Sequence, residues 1–311
     1  MKKSPVFIPE ANKLHTKCGY VAIIGAPNAG KSTLVNQMVG AKISIVSHKV
    51  QTTRMIIRGI VMLGEAQIVL VDTPGIFNSQ KRFDRAMVKA AWTSVSDADI
   101  VVLVIDCSRG IDSKTSIIME RLRLRNIPLI LALNKIDKID DKEKLLPLVK
   151  KLRCNLQFRD AFMLSAQTGD GVNALLRALA LSIPMGPWHF SKNDISDLPL
   201  SILAAEITRE KIYYRLHQEL PYAITVETND WKTLKDKSVR IEQTIFVEHE
   251  SQKKIVIGKG GKNIKEISLS ARSEITGIVG QSVHLYLFVK VRQNWVNDPK
   301  HYNAIGLEFP K

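Results

Sequence analysis

Residues 25 to 33 read GAPNAGKST, and this stretch decides the fold of the first half of the chain. It matches the pattern G-x-x-x-x-G-K-[ST] and follows the apolar run YVAIIGA at residues 20 to 26, which is typical of a buried strand. In such a loop the glycines let backbone amides surround phosphate groups, the lysine reaches the β and γ oxygens, and the serine hydroxyl coordinates Mg²⁺. The sequence therefore predicts a nucleotide-phosphate site with contacts from Gly25, Asn28, Ala29, Gly30, Lys31, Ser32 and Thr33.

Four more apolar runs of strand length follow within the first 183 residues, separated by segments of helix length. They are AQIVLVDTPG, ADIVVLVIDC, IPLILALNKID and DAFMLSA, which begin at residues 66, 98, 127 and 160. Because nearly continuous Val, Ile and Leu marks strands that are buried on both faces, we expect a mostly parallel sheet with helices on both faces. The predicted fold class of this part is an α/β P-loop domain.

Three loops at the expected carboxyl ends of these strands complete a guanine-nucleotide site. In DTPG, Asp72 is predicted to hold magnesium through water, and the Gly75 amide to meet the γ-phosphate. In NKID, Asp137 accepts hydrogen bonds from N1–H and the exocyclic amine of guanine, a pair of donors that adenine lacks. In SAQTG, the Ala166 amide faces guanine O6. The four loops in this order predict GTP rather than ATP as the ligand, with further contacts at Asn134, Lys135 and Ser165.

The segment SHKVQTTRMIIRG, residues 47 to 59, lacks long apolar periodicity and is predicted to be a mobile switch. One of its threonines joins the magnesium when the γ-phosphate is present. Thr53 is the first choice and Thr52 the second, while the competing interpretation is that both only favour the start of a strand. The predicted magnesium ligands are Ser32, Thr53 and Asp72.

Two positions determine the expected rate of hydrolysis. The residue after Gly75 is Ile76, where many small GTPases have the glutamine that orients the attacking water, so intrinsic turnover is expected to be slow. Asn28 is a candidate for seating a K⁺ ion that replaces an arginine finger, as in GTPases with the pattern PNxGKS; alternatively, it satisfies its own turn. The predicted catalytic residues are Asn28, Lys31, Thr53 and Gly75.

Residues 184 to 199, PMGPWHFSKNDISDLP, interrupt the alternation with three prolines and a glycine and predict a linker. Beyond it the sequence predicts a helix from about 200 to 220, strands near 222 to 228 and 239 to 249, a helix from about 262 to 276 and an alternating strand at 283 to 291. We expect a small α+β domain with a mainly antiparallel sheet. The predicted division is a tail at 1–17, a nucleotide domain at 18–183, the linker at 184–199 and a second domain at 200–311.

A second glycine cluster, GKGG at residues 258 to 261, follows the apolar KIVI and precedes an amphipathic segment. It lacks the spacing of the first loop but matches G-x-x-G, the loop with which a KH domain holds the backbone of about four nucleotides of single-stranded RNA. A tight turn without a ligand is the alternative interpretation. Since lysines surround the glycines, we predict RNA contacts at Lys254, Ile257, Gly258, Lys259, Gly260, Gly261, Lys262, Ile264 and Lys265.

The charge of the chain indicates an anionic partner. The net charge is +15, and residues 1 to 183 contribute most of it, with 27 Lys and Arg against 15 Asp and Glu. Nucleic acid is the first partner that such a balance favours, and an anionic membrane surface is the second. An ordinary solvated basic surface is the alternative.

The remaining bulk features indicate a cytoplasmic protein. The three cysteines, Cys18, Cys107 and Cys154, are too widely spaced for a disulfide framework or a zinc knuckle and are predicted to be small core residues. No apolar stretch reaches the roughly 18 residues that cross a bilayer, and the start MKKSPVFIPEANK lacks the apolar core of a secretory signal.

Together these motifs resemble those of the Era family, bacterial GTPases with a C-terminal KH domain, over about residues 18 to 309. The resemblance rests on GAPNAGKST, HKVQTTR, DTPGI, NKID and SAQTG, and then on EITREKIYYRL, ELPYAITVE, QKKIVIGKGGKNIKEI and VKVRQNW. It implies a Ras-like GTPase domain that takes GTP or GDP with Mg²⁺, and a type II KH domain. It also implies a monomer that binds the 3′ end of small-subunit ribosomal RNA during maturation of the small ribosomal subunit, with peripheral association with the inner membrane in some members.

The interpretation that these residues favour is a regulated enzyme, in which GTP hydrolysis in the first domain sets how the second domain presents itself to RNA. Two alternatives stay open at this point. One is an RNA-binding protein whose nucleotide is structural and does not cycle. The other is a regulatory GTPase that acts at the membrane through its basic first domain.

Overall fold

The structure, a computed structural model, describes residues 16–49, 51–78, 81–141, 143, 145–216 and 220–310. Residues 1 to 15, most of the predicted N-terminal tail, lie outside these residues. Of the helices in the described part of the chain, none is long and apolar enough to cross a membrane.

A six-stranded sheet lies at the centre of the described first domain. Its strands are β1 (Lys17–Ile24), β2 (Ile57–Leu63), β3 (Ala66–Asp72), β4 (Ile100–Asp106), β5 (Leu129–Asn134) and β6 (Asp160–Leu164). They lie in the order β2-β3-β1-β4-β5-β6, and every neighbouring pair is parallel except β2 with β3. The helices between them are α1 (Lys31–Val39), α2 (Arg82–Ser96), α3 (Ser113–Arg123), α4 (Leu145–Asn155) and α5 (Val172–Ser182). The predicted mostly parallel α/β fold is confirmed.

The sheet is buried on both faces because helices cover both. Successive residues of β1 point to opposite faces, so Val21 and Ile23 lie in the core with α1 and α5, whereas Ala22 and Ile24 lie in the core with α2, α3 and α4. All four side chains are fully buried. This arrangement is the physical reason why the strands read as continuous apolar runs rather than as alternating ones.

The edge strand β2 differs from the sequence prediction, which extends the mobile switch to residue 59 and places no strand there. Arg58 and Gly59 interrupt the apolar run of β2 and hide its pattern. Packing requires the glycine, since a Cβ at Gly59 would lie 2.7 Å from methyl groups of Val39 and Ile43. The chain therefore leaves the switch and enters the sheet at Ile57.

In the described part of the second domain, three helices pack against one face of a small sheet. The strands β7 (Thr225–Thr233), β8 (Val239–Val247) and β9 (Val283–Val291) lie in that order. The packing helices are α6 (Leu200–Arg215), α7 (Glu250–Ile257) and α8 (Lys262–Val279), and a short α9 (Pro299–Ala304) follows β9. Buried apolar side chains of α6, α7 and α8 form the core with the sheet. The predicted α+β class of this domain is confirmed.

Two details of the second domain correct the prediction. The sheet is mixed rather than mainly antiparallel, because β7 and β8 are antiparallel but β8 and β9 are parallel. The helical crossover through α7 and α8 returns the chain to the same end of the sheet. The apolar KIVI before the glycines belongs to α7, a helix that the prediction omits. Its signal is a capping box between His249 and Gln252.

The linker predicted at 184–199 forms hydrogen bonds with the first domain. The amides of His189 and Phe190 donate to Gln67 Oε1 at 2.8 and 3.0 Å. The Ile60 amide of β2 donates to the Ile195 carbonyl oxygen at 3.0 Å. The chain therefore crosses the edge of the first sheet before it enters α6.

Residues 295 to 310, which we call the return segment, run back to the first domain. Tyr302 and Leu307 are buried with Phe83 and Met87 of α2 in one apolar cluster. The rings of Phe83 and Tyr302 lie edge to face, with centroids 5.4 Å apart. The range predicted as the second domain thus includes a segment that completes the core beside α2.

The cysteine prediction is wrong at one position. Cys18 and Cys107 are buried, but Cys154 is exposed. On α4, Leu152 faces the core, and a residue two positions further along a helix points about 200° away from it. Cys154 therefore lies on the solvent side of α4.

Candidate functional site

The phosphate loop, residues 25 to 30, follows a path that requires glycine at two positions. Gly30 has a φ of 95°, and a Cβ there would lie 2.2 Å from the side-chain nitrogen of Asn134. A Cβ on Gly25 would lie 2.4 Å from the carbonyl oxygen of Val104. These close approaches hold the loop against β4 and β5, at the carboxyl edge of the sheet where α1 begins.

Lys31 lies at the base of this loop. Its side chain is buried, and its ammonium donates to the carbonyl oxygens of Gly25 (3.2 Å) and Ala26 (3.1 Å). Burial lowers the pKa of Lys31 to about 8, although the nearby Asp72 carboxylate opposes this shift. Because neutral carbonyl groups compensate a buried ammonium only in part, the position favours an anionic ligand such as a phosphate.

The three predicted magnesium ligands lie together. The hydroxyls of Ser32 and Thr53 are 2.8 Å apart, and Ser44 donates to Asp72 Oδ2 at 2.7 Å. Asp72 is fully buried, and its Oδ1 has no hydrogen-bond partner among the described residues. Burial raises the pKa of Asp72, while hydrogen bonds from Ser32 and Ser44 oppose the rise. Two hydroxyls and a buried carboxylate oxygen are the oxygen ligands that Mg²⁺ prefers, so these residues fit the ion.

The two candidate threonines of the switch have different surroundings. Thr53 contacts Ser32, whereas the Thr52 hydroxyl bonds to Ser47 Oγ at 2.6 Å and to the Lys49 carbonyl oxygen at 2.8 Å. This geometry favours Thr53 over Thr52 as the magnesium ligand. Ser44 belongs to no sequence motif, and only the fold brings it to Asp72.

Asn134 joins the loops that are predicted to read the base. It donates from Nδ2 to the Ala29 carbonyl oxygen (2.8 Å) and accepts at Oδ1 from the Ala166 amide (2.9 Å). Ser165 donates to Asp137 Oδ1 at 2.6 Å, which holds the carboxylate by one of its oxygens. The NKID and SAQTG loops therefore meet beside the phosphate loop.

Asp106 is a residue of this site that the sequence prediction missed. It accepts hydrogen bonds from the Lys135 ammonium and from the Ser108 hydroxyl, each at 2.6 Å. Burial opposes the ionisation of Asp106, but these hydrogen bonds outweigh burial and lower the pKa of its carboxyl group. Lys135 also donates to the Asn28 carbonyl oxygen at 2.7 Å, so Asp106 fixes a side chain that bridges the base loop and the phosphate loop. The sequence feature that could have identified Asp106 is its position at the carboxyl end of β4.

The residues predicted to control hydrolysis lie around the same loops. Asn28 donates from Nδ2 to the His48 carbonyl oxygen at 2.9 Å, which ties the phosphate loop to the switch. A Cβ on Gly75 would lie 2.9 Å from the ring of the phosphate-loop proline. Ile76 is buried, and its amide donates to the Gly25 carbonyl oxygen at 3.2 Å. A cleft of about 420 Å³ opens among these loops.

The nine predicted RNA contacts lie on and around one turn in the second domain. Gly258, Gly260 and Gly261 have φ of 76°, 60° and 76°, which side chains rarely adopt. Asn263, which the prediction omits, closes the turn by donating to the Ile255 carbonyl oxygen at 2.8 Å. The four lysines around the turn are exposed: Lys254, Lys259, Lys262 and Lys265. The two isoleucines, Ile257 and Ile264, are half-buried.

Helix α6 joins the second domain to the switch of the first. Arg209 donates to the Thr52 carbonyl oxygen at 2.6 Å, and Glu210 accepts from the Val46 amide at 2.8 Å. Tyr214 donates to the Val46 carbonyl oxygen at 2.8 Å. The sequence predicts a helix here, but nothing in it says which element the charged residues of that helix face.

Comparison with protein families gives one match in each half of the chain. The family described as 50S ribosome-binding GTPase matches residues 20–135. The KH domain family matches residues 219–296.

Curated relatives extend over nearly the whole chain. The GTPase Era of Afipia carboxidovorans is 57% identical over 307 residues, which make up 99% of each chain. Among solved structures, Era in complex with MgGDPNP and nucleotides 1506–1542 of 16S ribosomal RNA is 37% identical and has a TM-score of 0.89, covering 94% of this chain and 99% of its own. An Era variant of Aquifex aeolicus bound to GDP and AlF4− has the same identity, coverage and TM-score.

Proposed function

The chain belongs to the Era family of GTPases, and on that premise we propose that it couples GTP hydrolysis to binding of the 3′ end of small-subunit ribosomal RNA. The GTP site is formed by the four loops at the edge of the first sheet, and the RNA site by the glycine turn between α7 and α8. In this proposal the protein assists maturation of the small ribosomal subunit.

One observation carries the nucleotide part of this proposal. Asn134 bonds both to the phosphate loop and to the Ala166 amide, so the loops that contain Asp137 and Ala166 lie beside the phosphate loop. Asp137 accepts from the two guanine donors, and the Ala166 amide donates to guanine O6. A ligand must therefore present both a guanine edge and a phosphate chain to use the whole cleft.

The phosphate end of the cleft supplies charge and shape. The buried Lys31 ammonium binds the β and γ oxygens, and the loop amides from Gly25 to Thr33 donate to the phosphate chain. Ser32, Thr53 and Asp72 would hold Mg²⁺. When bound, the ion neutralises charge on the β and γ oxygens.

No polar side chain directly follows Gly75 to orient the water that attacks the γ-phosphate. The Gly75 amide holds the γ-phosphate in place, but the next residue is the buried and apolar Ile76, which forms no hydrogen bond through its side chain. Intrinsic turnover is therefore slow. We include K⁺ in the proposal because the side-chain nitrogen of Asn28 donates to His48, which leaves the side-chain oxygen Oδ1 as the atom to coordinate a cation.

The glycine turn is suited to the RNA backbone. Its three glycines have positive φ, and the exposed Lys259 and Lys262 flank it with positive charge. Lysine contacts to phosphates make affinity depend on salt, because each contact releases counterions. Ile257 and Ile264 give the adjacent groove an apolar surface for bases.

The proposal is tested by separating the two sites in the full chain. In Lys259→Asp/Gly260→Asp, two carboxylates face RNA phosphates, and such like-charge contacts cost several kcal/mol, or at least about a hundredfold in affinity. We expect that loss for a synthetic RNA of the 3′ end of 16S ribosomal RNA, while GTP affinity stays within about twofold. The matched control is Lys290→Asp, an exposed lysine of β9, which should keep RNA affinity.

The converse variant is Lys31→Ala, which should lose GTP binding and keep RNA binding. If the double-aspartate variant loses GTP and keeps RNA, the two sites have been assigned the wrong way round. Equal RNA affinity of the wild type with a GTP analogue and with GDP would refute the coupling and favour a nucleotide that is only structural.

A further inference from the structure

A groove outside the nucleotide cleft lies between α2 and α3 and has a volume of about 680 Å³. One end is formed by Ile76 and Phe77, which directly follow Gly75. Its long sides are formed by residues of α2 and α3. Neither the GTP site nor the RNA site uses this groove.

The rim of the groove is basic. Arg85 and Lys89 line it from α2, and Arg121 and Arg125 line it from α3 and the residues after it. None of the described residues that line it is Asp or Glu. Lys89 pairs with Glu308 of the return segment at 2.5 Å, but both side chains are largely exposed. Since exposed pairs are weak, the rim attracts an anionic partner.

The floor of the groove is apolar. Ile117 is 42% exposed, and Val88 lies across from it on α2. Trp92 is only 4% exposed: it belongs to the apolar core, and the guanidinium groups of Arg121 and Arg125 lie 4.6 and 5.6 Å from its ring centroid. Stacking orients both guanidinium groups, and Arg125 also donates from Nη1 to Ser96 Oγ. Arg121 is therefore the arginine that is placed to bind a carboxylate of a partner.

These features distinguish between the two kinds of anionic macromolecule. RNA bases need an exposed ring on which to stack. Among the described residues of this groove, Trp92 is buried and Phe77 is half-buried. An aliphatic floor under a cationic rim instead fits a peptide helix that has apolar residues on one face and carboxylates beside them. The groove between two helices is also the shape that receives such a helix.

We propose that the groove between α2 and α3 docks an acidic amphipathic segment of a partner protein, and that docking responds to the bound nucleotide. The response follows from Ile76, which lines the groove and whose amide bonds to the phosphate loop at Gly25. A γ-phosphate at the Gly75 amide moves this corner of the groove. The nucleotide response rests on the proposed GTP site, but the docking itself does not.

The experiment selects binders from a displayed library of random 16-residue peptides on the full-length protein loaded with a non-hydrolysable GTP analogue. We expect enriched peptides that combine Asp or Glu with apolar residues at helical spacing. Their affinity should fall at least about tenfold in Arg121→Glu and in Arg85→Glu, which reverse the rim charge on either helix. Lys151→Glu/Arg153→Glu on the exposed face of α4 is the matched control and should change nothing.

GTP affinity within about twofold of the wild type shows that each variant is folded, and failure of GTP binding in the wild type would refute the proposed function instead. Peptides that bind both rim variants as well as the wild type, or a library without enriched acidic peptides, would overturn the docking proposal. A loss of affinity for the 16S RNA probe in the rim variants, with no effect on peptides, would identify an RNA surface and also overturn it. Equal peptide affinity with GDP and with the GTP analogue would overturn the nucleotide response.

Discussion

At the scale of single residues, the site depends on polar side chains that each serve two loops. Asn134 bonds to the phosphate loop and to the Ala166 amide, and Lys135 bonds to Asp106 and to the phosphate loop. The NKID motif is therefore a structural bridge as well as the proposed reader of guanine. A substitution in it changes both the base contact and the position of the phosphate loop, unless the new side chain keeps the same shape.

Asp137→Asn keeps the shape and tests the base contact alone. An amide in place of the carboxylate presents a donor to a guanine donor, which leaves buried groups unpaired and costs roughly 1–3 kcal/mol, or about ten- to a hundredfold in GTP affinity. Xanthosine triphosphate, which has a carbonyl where guanine has the amine, should bind the variant better than it binds the wild type. Nucleotide titration measures both affinities. Wild-type affinity of the variant for GTP would show that this loop does not read the base.

Asn28 provides the second test at this scale. If the side-chain oxygen of Asn28 helps to bind K⁺, turnover in K⁺ should exceed turnover in Na⁺ by roughly tenfold or more. The reason is that a cation at the developing phosphate charge is worth several kcal/mol. Asn28→Ala should remove this difference while GTP still binds. Phosphate release in matched chloride salts measures the rates, and equal wild-type rates in the two salts would exclude a K⁺ role.

At the scale of helices and strands, the buried parallel strands and the loops at their carboxyl ends could be predicted from sequence, because both depend on short local patterns. The strand β2 could not, since Arg58 and Gly59 break its pattern and its glycine is explained only by contact with distant residues. The contacts of α6 with the switch could not either. Arg209 lies within a helical pattern, but its partner at Thr52 is separated from it by 157 positions.

Helix α6 is the element that connects the switch of the first domain to the second domain. Arg209 is 1% exposed, pairs with Glu206 through two nitrogens and donates to the Thr52 carbonyl oxygen beside the candidate magnesium ligand Thr53. If Thr53 binds the ion as proposed, the bond between Arg209 and Thr52 is the contact through which α6 responds.

Arg209→Lys tests this connection without removing the buried positive charge. A lysine ammonium cannot form the same fork to Glu206 and to the switch, so we expect a loss of about 1 kcal/mol of stability. We also expect a smaller difference between RNA affinities with a GTP analogue and with GDP. The control is Arg215→Lys on the same helix, whose partner Glu266 lies within the second domain. If both variants keep the full difference, the switch does not act through Arg209.

At the scale of the whole molecule, a cluster of ion pairs holds the two domains together. Lys42, just after α1, contacts Glu210 of α6 at 2.6 Å and also Glu274 of α8. Lys211 contacts Glu210 at 3.0 Å and also Glu274. The cluster therefore links the first domain to α8, the helix that begins at the RNA-binding turn.

This cluster of ion pairs predicts how the stability of the protein depends on pH. Burial raises the pKa of Glu274, but its hydrogen bonds with Lys211 and Lys42 outweigh burial, and the net pKa lies below the usual 4.5. A carboxylate with a lowered pKa stabilises the fold above its ordinary pKa, and this contribution is lost as pH falls through the lowered value. Glu274→Gln should therefore lower the melting temperature at pH 6 to 8, and the difference from the wild type should shrink as the pH falls below the ordinary value of 4.5 and through the lowered pKa. A difference that is the same at every pH would mean that the charge of Glu274 does not matter.

The return segment has a consequence for the time at which the protein becomes complete. During synthesis α2 emerges from the ribosome long before Tyr302 and Leu307 are added to the chain. Until then Phe83 and Met87 lack the side chains that cover them in the folded protein. The first domain cannot reach its final packing until residues encoded far downstream have been added. A ribosome stalled between the two regions therefore displays an apolar surface at Phe83 and Met87, which chaperones and proteases can recognise.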